Sequence, residues 1–198
     1  VFSKDKLRQY MQNPKTNESN LRNLSRFLYR VSHNYRRLIS YQAEMVDLTA
    51  LNVIPQIDFT EDAHDDEKIK TSYFNTLVQL DKMNMQSEIL KCLLIAWRED
   101  TFYGYTYEDD SGFFIYPLDG DYCKVSSVNY DGTLNCAFDF SYFRSHTADL
   151  EYWDSEFNSK YNSFQSDNTL RWQELDPERT FVIKVNIDDP TLNMPPLS

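Results

Sequence analysis

The chain has 198 residues, 31 acidic against 20 basic, and a formal net charge of −11. That length suffices for one domain with a buried core, and a composition 41% hydrophobic and 26% charged excludes a wholly disordered chain. Four glycines exclude collagen-like or Gly-rich linker character, whereas 14 Tyr and 13 Phe supply large rigid rings for a core and for interfaces.

A helical pattern opens at Asn17-Glu18, with Leu21, Leu24, Phe27, Leu28 and Val31 at three- and four-residue spacing. Ser32 is placed to cap a second helix, whose stripe is Tyr35, Leu38, Ile39, Gln42 and Val46. Leu51 to Phe59 reads as extended, because Val53 and Ile54 are β-branched and Pro55 blocks a helix. The acids from Glu61 to Glu67 suit a helix N-terminus. The helix that follows carries Ile69, Tyr73, Leu77, Leu80 and Met83 on one side, and another opens at Ser87 with Ile89, Leu90, Leu93, Leu94 and Trp97.

At Thr101 the period changes from about 3.6 to 2. Two runs, Thr101–Tyr107 and Phe113–Leu118, flank Asp109-Asp110-Ser111-Gly112 and predict a hairpin. Pairing Glu108 with Phe113 sets Tyr107 against Phe114, Tyr105 against Tyr116 and Tyr103 against Leu118, an aromatic ladder on one face. A second hairpin turns at Asp131-Gly132 as a two-residue loop that pairs Tyr130 with Thr133. It places Val125, Leu134, Cys136, Phe138 and Phe140 on one face, and Lys124, Ser126, Asn135 and Asp139 on the other. In that register Cys123 and Cys136 lie four strand positions apart, roughly 13 Å, too far for a disulfide. A helix is predicted around Asp149–Phe164 and a last strand over Phe181–Val185. The expected class is α+β: N-terminal helices, then antiparallel β-hairpins, then helix and strand, in a single domain over 1–198.

Charge is unevenly spread. Residues 1–60 hold nine Lys/Arg and five Asp/Glu, a net +4, and the remainder hold 11 and 26, a net −15. The bland reading of the basic third is a solvated helical face, and an acidic body repels nucleic acid at long range. No apolar run reaches the roughly 18 residues of a membrane-spanning helix, and Val1 to Tyr10 lacks the apolar stretch of a secretory signal. A first residue other than Met and an end at Pro195-Pro196-Leu197-Ser198 read as a piece of a longer chain. Three Cys (Cys92, Cys123, Cys136) without C-x-x-C spacing argue against a disulfide framework or zinc ribbon and for a reducing compartment.

Candidate chemistry is sparse. Three His (His33, His64, His146) have no nucleophile motif around them. His64 among Glu61, Asp62, Asp65 and Asp66 lacks the spacing of a cation loop. No Gly-rich phosphate loop points to a nucleotide. Glu108, Asp109, Asp110, Asp119 and Asp121 beside the aromatic ladder give the sharpest enzyme-like alternative, a carbohydrate-binding or glycoside-hydrolase-like domain. No catalytic, cofactor-binding or metal residues are assigned, no cofactor is expected, and DNA-contacting residues are not identified.

Several segments together resemble the portal proteins of tailed bacteriophages. They are Arg98-Glu99-Asp100-Thr101-Phe102-Tyr103-Gly104-Tyr105 with Glu108-Asp109-Asp110, and Pro117-Leu118-Asp119-Gly120-Asp121-Tyr122-Cys123-Lys124-Val125. Asp131-Gly132 then leads to Ala137-Phe138-Asp139-Phe140-Ser141-Tyr142-Phe143, with Asn34-Tyr35-Arg36-Arg37-Leu38-Ile39 upstream. Downstream lie Trp172-Gln173, Leu175 and Pro177, then Phe181, Lys184 and Asn186, and Pro195-Pro196. The resemblance spans roughly residues 20 to 198 and implies the first part of a portal wing, without the stem and clip. It implies a non-enzymatic structural virion protein, one subunit of a homo-oligomeric ring, a dodecamer, at one capsid vertex. Capsid protein, terminase and tail or adaptor proteins would dock on that ring. DNA would pass through it without sequence specificity during packaging and ejection. The resemblance places the protein in the virion after synthesis in the host cytoplasm.

Overall fold

The computed structural model describes residues 3–47, 66–109, 112–129 and 132–185. Among the described residues, six α-helices and six strands alternate in blocks rather than as β-α-β units, which makes the protein α+β, with helices first, hairpins next, then helix and strand. The helices are α1 (Lys4–Gln12), α2 (Glu18–Val31), α3 (His33–Glu44), α4 (Asp66–Lys82), α5 (Met85–Glu99) and α6 (Ser155–Ser166). The strands are β1 (Thr101–Asp109), β2 (Gly112–Pro117), β3 (Cys123–Val128), β4 (Leu134–Asp139), β5 (Trp172–Glu174) and β6 (Thr180–Lys184). They form two three-stranded antiparallel sheets, ordered β2-β1-β6 and β3-β4-β5. No described helix is long and apolar enough to cross a membrane.

Local chemistry sets the element ends. The Ser32 side chain accepts from the Tyr35 N–H at 3.3 Å and starts α3, as its position predicts. Asn84 (φ 48°) separates α4 from α5, and Asp100 (φ 67°) ends α5 in the left-handed region before Thr101 begins β1. The extended reading of Leu51–Phe59, the acidic run up to Asp65, and the Asp110, Tyr130 and Asp131 turn positions lie outside the described residues. Periodicity misses α1 and the short β5. The helix expected over Asp149–Phe164 divides into a 3₁₀ stretch, Thr147–Tyr152, and α6, which Asp154 caps by accepting from the Glu156 N–H.

The first hairpin has the expected register: Tyr107 opposes Phe114, Tyr105 opposes Tyr116, and Glu108 opposes Phe113. Along β1, Tyr103 and Tyr105 face one core and Phe102 faces another. Gly104 sits between them because a Cβ there would lie 2.7 Å from Phe102 Cε1 and 2.8 Å from the Phe181 ring. The larger core fills the space between the two sheets and α6 with Phe138, Phe140, Phe143, Phe157, Tyr161, Phe164 and Leu175. The smaller one joins Cys92 and Ala96 of α5 to Phe102 and Ile115.

The second hairpin corrects the expected register. Asn129 donates its N–H to the Thr133 carbonyl at 2.8 Å, so Asn129 and not Tyr130 is set against Thr133, and Gly132 lies at φ 85°. Val128 pairs with Leu134, and an irregularity between Val125 and Ser127 shifts the pairing again, so that Val125 faces Cys136 and Cys123 faces Phe138. Cys123 and Cys136 are therefore diagonal neighbours rather than four positions apart. Both are buried free thiols, and burial with a hydrogen bond to Cys136 pushes the Cys123 thiol well up from its ordinary value. The same reading misplaces Asp139 on a solvated face. Asp139 is buried, accepts from the Ser141 N–H at 2.9 Å, and receives Arg171 Nη2 on Oδ2 at 2.6 Å. It thereby caps the turn that carries Phe140 and Phe143 into the core.

Burial alone would raise the Asp139 carboxyl, but the Arg171 and Ser141 hydrogen bonds outweigh it and hold the group below its ordinary value. A carboxyl depressed in the folded state stabilises the fold above its unfolded pKa of about 3.9, and that contribution disappears as pH falls through the folded value. Asp139→Asn is therefore expected to flatten the acid limb of a melting-temperature profile taken from about pH 6 to about pH 2. An unchanged slope would show that other carboxylates set that limb.

Candidate functional site

Arg30, Arg36 and Arg37 are exposed, as a solvated face predicts, but Arg22 and Arg26 of α2 are not. Arg22, Ser25, Arg26 and Tyr29 recur at helical spacing and turn toward the body, and Arg22 is the one described α2 residue that is fully buried. The apolar residues Phe27 and Val31 point outward instead. Helix α2 docks through ions because the surface it meets, the end of α5 and the β2–β3 connection, carries Glu99, Asp119 and Asp121.

Glu99, 4% exposed, is the hub. Arg26 donates to it twice, Nε to Oε1 at 3.0 Å and Nη2 to Oε2 at 2.7 Å, and Arg98 Nε donates to Oε1 at 3.0 Å. Arg26 Nη2 also reaches Asp119 Oδ1 at 3.2 Å, and Arg22 Nη1 donates to Asp121. The Glu99 hydrogen bond, working against burial, pushes the Arg26 guanidinium further up from its ordinary value. Gly120 lies between the two aspartates, where an added Cβ would sit 3.1 Å from Arg22 Nε. Ser25 Oγ, beside Tyr35 Oη at 2.8 Å, donates to the Arg98 carbonyl. The Arg98 guanidinium lies 5.4 Å from the Tyr29 ring centre. The segments Arg98-Glu99-Asp100 and Leu118-Asp119-Gly120-Asp121 are thus two halves of one network completed by α2.

Of the acids considered for glycan chemistry, the described ones have partners of their own. Asp119 and Asp121 are engaged by Arg26 and Arg22, and Glu108 accepts from Gln79 Nε2 at 3.4 Å. The Asp109 side chain and Asp110 lie outside the described residues, as does His64. His33 begins α3 and is exposed. His146 stacks on Tyr142 at 4.1 Å, and its Nδ1 lies 2.9 Å from the Tyr142 carbonyl and 3.0 Å from Ser145 Oγ. That carbonyl can only accept, so an Nδ1 bonded to it carries the proton and has no lone pair with which to activate Ser145. Burial pushes the Cys92 thiol up to about 11, the opposite of a reactive thiolate. Among the described residues, no group of three or more His, Cys, Asp or Glu could hold a metal ion.

Three surface features stand out among the described residues. Helices α2 and α3 expose Phe27, Val31, Leu38 and Tyr41, with Met45 just after α3, and α4 exposes Phe74, at 68%, with Val78. A cleft of about 590 Å³ is lined by Arg26, Arg30 and Arg98, by Glu99 and Asp119, and by rings including Tyr116, Tyr142 and Trp153. A smaller aromatic pocket of about 140 Å³ opens on the β1–β2 hairpin. No family model, curated protein or solved structure matches this chain.

Proposed function

We propose that this chain is the first part of the wing of a portal subunit, a non-enzymatic protein of the virion that works as a ring at one capsid vertex. Packaged and ejected DNA passes through the ring, which docks capsid, terminase and tail or adaptor proteins. The reading rests on the sequence pattern, and one structural observation carries its oligomeric part. Helix α4 runs for 17 residues with nearly every described side chain exposed, Phe74 and Val78 among them. Helices in proteins owe most of their stability to packing of an apolar face, and the described side chains of α4 show little such packing. Such a face suits a subunit contact, as do the exposed rings and arginines of α2 and α3.

Negative-stain electron microscopy of the full-length gene product tests this directly. Rings with a central hole are expected, and Phe74→Glu is expected to lower the ring fraction at least about tenfold, roughly 1.4 kcal/mol of assembly energy, without lowering the monomer melting temperature. Uniform small monomers across several salt concentrations would overturn the reading. A glycan-binding screen of the aromatic hairpin would then be the next experiment.

A further inference from the structure

The 140 Å³ pocket on the β1–β2 hairpin is built almost wholly of rings. Tyr107 and Phe114 lie 4.9 Å apart on one side, and Tyr116 and Trp153 lie 4.9 Å apart on another. Phe157 closes the floor, 4.6 Å from Trp153 and 5.0 Å from Tyr105. Tyr152 stands at the rim, 81% exposed. Aromatic faces carry the negative part of the ring quadrupole and attract a cation held over them.

The ionised groups around the pocket are mixed, with the carboxylates Asp149, Glu151 and Asp154 set against the guanidinium of Arg179. Asp154 is its one lining carboxylate among the described residues. The cation beside it, Arg179, is already held by Asp154 Oδ2 at 2.7 Å. Burial and then Asp149 push the Tyr116 phenol up from its ordinary value, and a hydrogen bond with Glu151 does so for Tyr152. Residues 61–198 carry a net −15, against −11 for the chain as a whole. The space suits one side-chain head group, and two carboxylates facing each other, as glycoside cleavage needs, are not among its described lining residues.

We propose that this pocket is an aromatic cage for a guanidinium or ammonium group, and that its occupant is an arginine from the α2–α3 surface of a second copy of this chain. Charge complementarity selects that source. The first 60 residues carry a net +4, and Arg30 and Arg37 are exposed there beside the exposed apolar side chains Val31 and Leu38. An acidic aromatic pocket on one copy and a basic apolar surface on the next make a head-to-tail contact, the kind that closes rings. The choice of a second copy rests on the ring reading, whereas the preference of the pocket for a cation does not.

The probes are N-acetyl-arginine amide and N-acetyl-citrulline amide, equal in size and different in charge, titrated into the full-length protein by NMR. The arginine amide is expected to bind at least about fivefold more tightly, about 1 kcal/mol, within the range of a cation–π contact. Phe114→Leu with Tyr116→Leu is expected to abolish that preference. Tyr152→Ala, which removes an exposed ring, keeps the test decisive if the hairpin variant does not fold. Equal binding of the two amides, or binding of neither, would overturn the cage. For the occupant, Arg30→Gln with Arg37→Gln and the cage substitutions are expected to reduce ring formation without adding to each other. Rings unaffected by the cage substitutions, or additive losses, would overturn the second-copy assignment and leave a free cation as the ligand. A wild-type protein that forms no rings would overturn both the ring reading and the second-copy occupant, while the arginine–citrulline comparison would still decide the cage.

Discussion

Glu99→Gln is expected to destabilise the fold by about 3–5 kcal/mol, the typical cost of removing one partner from a buried charge network. Glu99 neutralises arginines from two helices, and Arg22, at 6% side-chain exposure, has little access to water in its absence. Glutamine keeps the shape and one acceptor oxygen but not the charge, so Arg22 and Arg26 would share Asp119 and Asp121 alone. Equilibrium urea unfolding reads the effect as a lower midpoint at unchanged slope. Because α2 docks through this network, the variant is also expected to lose amide-exchange protection first in α2. A loss below about 1 kcal/mol would mean that the network behaves like an exposed ion pair.

Phe138→Ala is expected to cost a similar amount, about 3–5 kcal/mol. Phe138 has no exposed surface and touches rings from three directions. Phe140 lies at 5.4 Å, Phe157 at 5.7 Å and Trp153 at 6.0 Å. Close-packed rings cannot collapse into the space left by a phenyl group, so a cavity term adds to the lost burial. Thermal unfolding followed by near-ultraviolet circular dichroism would register the loss of stability and the loosened aromatic packing together. A change under about 1.5 kcal/mol would show that the site relaxes as it does for a volume-conserving swap.

The two substitutions probe different layers. Phe138 anchors the sheets to α6, whereas Glu99 anchors the N-terminal helices to the sheets. If the portal reading holds, the second joint matters for assembly as well as for stability. It sets the angle at which the exposed α2–α3 surface is presented. Glu99→Gln should therefore lower ring yield even under conditions where the monomer remains folded.

Local rules made much of this architecture legible from the sequence. Ser32 capped α3 as predicted, the change of period at Thr101 marked the first residue of β1, and the first hairpin paired as its aromatic alternation required. A one-residue slip there would move every ring to the other face. The second hairpin escaped because Asp131-Gly132 fits two registers equally well. Only Asn129 bonding Thr133 distinguishes them. The inward face of α2 was hidden for a different reason. An amphipathic pattern identifies an apolar stripe, but whether that stripe or the arginine stripe faces the body depends on what the body presents. Here it presents Glu99, Asp119 and Asp121, about 70 to 100 residues away in the chain, and burying Arg22 without them would have been prohibitive. The aromatic pocket has the same origin. Its hairpin rings could be read from alternation, but Trp153 and Phe157 reach it through a separate element. Composition and periodicity determined most of the longer elements and the aromatic character of the core. Tertiary structure decided which charges are buried and which apolar faces remain for a partner, because both depend on contacts between residues far apart in sequence.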